Sequence, residues 1–141
     1  MNSIRLPRCL AFLLSFFSLS LAGIASVSGV EPATGHLWSQ IKGDTYEQRE
    51  HFAQGVQQMS AQLGGQIDAL LAKRSKMTTD TSDWDFAFKE VESSRDLFAG
   101  RINELSKAKT PETWADAKEK IGEAWHRSQL AVDQMNTTRT S

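Results

Sequence analysis

Trp84, Val91, Phe98 and Leu105 recur every seven residues along WDFAFKEVESSRDLFAGRINEL, with Phe88 and Ile102 on adjoining rows. A stripe of that period covers one face of a helix, and a helix with such a face is stable only when something packs on it. The chain supplies its own partners. One seven-residue row, Val56, Leu63, Leu70 and Met77, precedes the stripe, flanked by Phe52, Met59, Ile67 and Leu71. Another, Trp114, Ile121, Ser128 and Met135, follows it, flanked by Ala117, Ala124, Ala131, Trp125 and Val132.

Capping chemistry sets the boundaries. Asp44 or Thr45 begins the first long helix, which the rows carry to about residue 76. Gly64-Gly65 interrupts it at a cost of roughly 2 kcal/mol against two alanines. The row keeps its phase across the glycines, so one continuous helix is expected. The turn-forming run TTDTS, residues 78–82, separates it from a second helix over about 83–107. Asp83 and Asp85 suit the positive end of that helix and Lys107 the negative end. Thr110-Pro111-Glu112 marks the start of a third helix over about 111–135, with Pro tolerated at the first helical position.

Both connections are short, which favours antiparallel neighbours. Folded back on each other, the rows register in four layers, with Leu63, Phe98 and Ile121 sharing a central one. The expected fold is all-α: a small up-down-up antiparallel three-helix bundle with coiled-coil-like heptad packing over residues 44–136. A dimeric two-helix coiled coil fits the Trp and Phe content of the rows less well. Arg95 falls inside the second stripe. The expectation is that its stem packs beside Ile67 and that its head stacks on Trp125 or reaches water.

The N-terminus reads as a targeting segment. Arg5 and Arg8 precede the apolar run Leu10 to Leu21, and Ala22-Gly23-Ile24-Ala25 supplies small residues for cleavage after Ala25. The run is short for a membrane span, which needs roughly 20 apolar residues. Residues 1–25 are therefore a signal peptide, residues 26–43 a flexible leader, and residues 137–141 a disordered tail. Cys9, the only cysteine, leaves with the signal peptide, so packing alone must hold the exported domain together. Losing Arg5 and Arg8 from 16 basic side chains leaves 14 against 17 acidic ones, a net charge of −3. A weakly acidic surface argues against nucleic acid and gives little support to binding at an anionic membrane surface.

No catalytic pattern emerges. His51 and His126 point away from the apolar rows and His36 lies in the leader, so neither haem nor metal is expected. Met59, Met77 and Met135 read as core filling. Asp80, Asp83 and Asp85 lack the central glycine and distal glutamate of a calcium loop. Asn136-Thr137-Thr138 matches a glycosylation acceptor, of consequence only in a eukaryotic secretory pathway. Apolar residues off the stripes are the informative ones. Phe86, Leu97 and Leu130 are the candidate protein interface. The expectation is an exported, non-catalytic bundle without cofactor that binds or scaffolds a protein at the cell envelope. The alternative is a lipid or membrane-surface binder that opens its amphipathic helices, eased by Gly55, Gly64, Gly65, Gly100 and Gly122.

Overall fold

A computed structural model describes residues 33–138. The expected signal peptide, residues 1–25, lies outside the described residues, as do residues 26–32 of the leader and 139–141 of the tail. Among the described residues the chain is all-helical, and four helices pack together: α1 (Ala33–Ile41), α2 (Arg49–Arg74), α3 (Ser82–Lys107) and α4 (Pro111–Thr137). A single 3₁₀ turn, Tyr46–Gln48, leads into α2. No described helix is long and apolar enough to cross a membrane.

The three long helices carry the apolar rows inward. Every row residue is buried except Met77, which is half-buried near the end of α2. Phe98 packs on Trp125 with ring centroids 5.5 Å apart. Trp84 stacks on Phe88 at 5.1 Å. Small residues let α3 and α4 approach closely. Ser94 and Ser128 are both buried, and the Ser128 hydroxyl donates to the Ser94 carbonyl at 3.1 Å and to the Ala124 carbonyl at 2.9 Å. Ala117, Ala124 and Ala131 line the same side of α4.

The α4 start behaves as its sequence implies: Pro111 opens the helix and the Thr110 hydroxyl accepts from the Thr113 amide at 3.3 Å. At the α2–α3 turn, Asp85 does more than complement the helix dipole. Arg74 grips it by donating from Nε to Oδ1 and from Nη2 to Oδ2, the latter at 2.9 Å. That bond holds the Asp85 carboxyl below the usual carboxylate range. Asp80 is held low in the same way by the Ser82 hydroxyl at 2.7 Å.

Several expectations need correction. The leader 26–43 contains α1, and Ile41 at its end is fully part of the core. Arg95 lies outside the stripe, with Ser94 in the core place beside it. Its guanidinium pairs with Asp96 at 2.9 Å, not with Trp125. The reason is steric: the α3–α4 seam is tight there and admits a hydroxyl but no guanidinium stem. Leu71 does not flank the core; it is 46% exposed. Arg127, whose i,i+4 spacing from Glu123 suggests a pair within α4, reaches Glu90 on α3 instead, at 2.7 Å. Asp116–Lys120 forms within α4 at 2.8 Å, as its i,i+4 spacing suggests.

Helix α2 runs unbroken through Gly64-Gly65. A Cβ added at either position meets nothing within 4 Å. Both glycines are therefore weak helix formers without a packing reason. Replacing both with alanine should raise stability by about 1–2 kcal/mol, through helix propensity and a less flexible unfolded chain. Thermal denaturation checks this, and a fall in Tm would show a constraint at that site.

Gly55 and Gly122 are of another kind. An added Cβ at Gly55 would stand 2.5 Å from Ile41 Cγ2, and one at Gly122 would stand 2.8 Å from Trp38 Cη2. These glycines, one on α2 and one on α4, are notches that seat Ile41 and Trp38 of α1. Trp38 also meets Phe52 edge-on at 6.2 Å. The link after α1 is pinned too. Lys118 on α4 donates to the carbonyls of Lys42 at 3.1 Å and Asp44 at 2.7 Å. Asp44 is not the helix cap that its position suggests. It is 7% exposed and holds His51 Nδ1 at 2.7 Å.

Candidate functional site

Three places on the described surface give a ligand or partner apolar ground between helices. Each follows from how the rows diverge from the seam.

The first is a cleft at the end of the molecule where α2 begins and α3 stops. Ala53 and Val56 of α2, Ile102 and Leu105 of α3, and Trp114 of α4 form its apolar floor. Its volume is about 510 Å³. The small side chain of Ala53 leaves the space that a larger residue would fill. Trp114 is fixed from behind, edge-on to Phe52 at 5.3 Å and to Tyr46 at 6.1 Å. The Tyr46 hydroxyl donates to the Lys109 carbonyl at 3.0 Å and ties the start of α2 to the α3–α4 link. Arg49, Glu50, Gln57 and Lys109 stand at the rim. The Arg49 guanidinium sits 4.7 Å over the Tyr46 ring and donates to the Tyr46 carbonyl at 3.1 Å.

The second is a shallow depression between α3 and α4 near the start of α3. Phe86 stands beside it, 76% exposed, with Ala87, Ser93 and Ala131 among its lining residues and Lys89 and Glu90 at its edge. The third is a groove between α1 and α4, where Trp38 and Trp125 meet His126, Asp133 and Leu130.

The three interface residues read from the sequence are therefore not one patch. Phe86 belongs to the α3–α4 depression, and Leu130, 48% exposed, belongs to the α1–α4 groove. Leu97 is half-buried and packs against the core. Their shared property in the sequence was distance from the apolar row, and that alone does not place residues of two helices together.

The histidines are on the surface. His51 is held by Asp44, and His36 and His126 are exposed. Among the described residues no three His, Cys, Asp or Glu side chains are grouped to hold a metal ion. The cleft at the α2 start escaped the sequence reading altogether. Arg49, Lys109 and Trp114 are far apart in the chain, and only the tie between Tyr46 and the α3–α4 link brings them together.

Compared with known protein families, curated proteins and solved structures, the chain matches none.

Proposed function

We propose that this chain is an exported, non-catalytic helical bundle that binds a protein partner at the cell envelope through the α3–α4 surface around Phe86. The observation that supports the reading is Phe86 itself. It is the most exposed large apolar side chain among the described residues, and it stands at the edge of a depression of about 500 Å³. Scattered exposed leucines are ordinary. An aromatic ring left 76% in water beside an inter-helical depression with a charged edge has the make-up of an interface anchor. On this reading the long helices run up-down-up. Contacts in favour are Arg74 with Asp85 between α2 and α3, Glu90 with Arg127 between α3 and α4, and Gln66 with Gln129 between α2 and α4.

The rival reading, a bundle that opens onto a membrane surface, has less support. Gly55 and Gly122, two of the glycines invoked for opening, are filled by α1 and hold the molecule closed.

Phe86→Ser should leave the melting temperature within a few degrees, because the ring packs on little. It should cut retention of the partner from solubilised envelope by tenfold or more, on the order of 1.4 kcal/mol or above. Unchanged retention would remove Phe86 from the interface. Export has its own test. Mass spectrometry of the exported protein should find an N-terminus at or shortly after Ser26. An intact Met1 in a soluble cytoplasmic pool would contradict it.

A further inference from the structure

We propose that the cleft at the start of α2 is a second binding site, for a small amphiphile carrying one carboxylate on an apolar tail. The site is independent of the Phe86 surface, lying some 19 residues along α3 from it, about 28 Å of helix. The floor dictates the tail. Ala53, Val56, Ile102, Leu105 and Trp114 present carbon to the cleft, and its volume of about 510 Å³ falls within the range of small-molecule sites. Trp114 is braced by Phe52 and Tyr46, so the floor is preformed and a ligand need not order it.

The rim dictates the head. Arg49 and Lys109 face the cleft mouth from different elements, and among the described residues neither makes an ion pair. Arg49 is oriented by its carbonyl bond and by the Tyr46 ring, which leaves other guanidinium N–H groups to donate. Lys109 reaches only the Ser106 carbonyl, at 3.3 Å. Glu50 is the single carboxylate among the lining residues, against the two cations Arg49 and Lys109, while the Glu47 carboxyl, which also feels Arg49, lies outside the lining. A carboxylate accepts from a guanidinium and an ammonium together, and its tail lies on the floor while the head stays at the wet edge. A cationic or neutral amphiphile of the same length gains the floor and forgoes the rim.

Titration calorimetry and amide chemical shifts of the exported protein test this, with decanoate, decyltrimethylammonium, decanol and acetate as probes. Decanoate should bind about tenfold or more tighter than either other decyl compound, with acetate unbound and shifts centred on Ala53, Ile102 and Trp114. Arg49→Gln with Lys109→Gln should bring decanoate down to the level of decanol. Ala53→Trp, at a solvent-facing position that leaves the core intact, should block all three decyl probes. Vesicles of anionic phospholipid form the last arm. If they bind at this cleft while decanoate does not compete, the site reads a lipid surface and the proposal fails. It fails too if decyltrimethylammonium binds as tightly as decanoate, or if Ala53→Trp binds decanoate unchanged.

Discussion

Phe98→Ala should lower stability by about 3–5 kcal/mol, the upper range for a single truncation in a core. Phe98 is fully buried, lies on the central row of α3 and packs on Trp125 of α4. Removing the ring leaves a cavity that its neighbours cannot close. Ser94 one turn before it is too small, and Trp125 is held by its own helix. A domain of this size has a total stability on the order of 5–15 kcal/mol, so the variant should sit near the edge of folding at ambient temperature. Urea denaturation followed by circular dichroism reads the change. A loss below about 1 kcal/mol would mean that Phe98 is not central to the core.

Filling both notches, Gly55→Ala with Gly122→Ala, should cost up to about 4 kcal/mol net. Overpacking is worth about 1–3 kcal/mol at each site, and the better helix propensity of alanine returns about 1 kcal/mol at each. The clash is with side chains that cannot swing freely: Ile41 is branched and buried, and the Trp38 indole is rigid. Helix α1 should lose its seat, and its amides should exchange with solvent faster than those of α2. The same chemical change at Gly64 and Gly65 should stabilise. Opposite signs for two Gly-to-Ala pairs in one chain would follow from packing alone, since propensity acts alike in both. Two gains would show that α1 does not dock on the notches.

What the sequence made legible was what period and capping govern. The rows through Leu63, Phe98 and Ile121 are buried as their spacing implies, and Thr110-Pro111 starts α4 where capping chemistry puts it. The phase argument across Gly64-Gly65 held for the same reason: two weak helix formers do not stop a helix whose apolar face stays in register. Helix α1 was hidden because Trp38 and Ile41 are too few to establish a period and Gly43 follows at once. Its evidence lay elsewhere, in two mid-helix glycines that looked like weaknesses and are seats. Arg95 went astray by one residue, because the choice between Ser94 and Arg95 depends on how closely α3 and α4 approach, and no single helix encodes that. Arg127 chose Glu90 over Glu123 for a similar reason, an acid across the seam being as near as one along the helix. The candidate sites were the least legible. Phe86 was visible as an apolar residue off its stripe, but clefts are made by neighbours distant in sequence.

Photo-crosslinking from position 86 tests the account most directly. A photoreactive phenylalanine analogue at Phe86, in the exported protein on intact cells, should capture one envelope protein. The same analogue at Glu104, on an exposed face near the other end of α3, should not. A single adduct from position 86, lost when unlabelled wild-type protein competes, is the predicted result. No adduct at 86, or equal adducts from both positions, would contradict a protein-binding role for this surface.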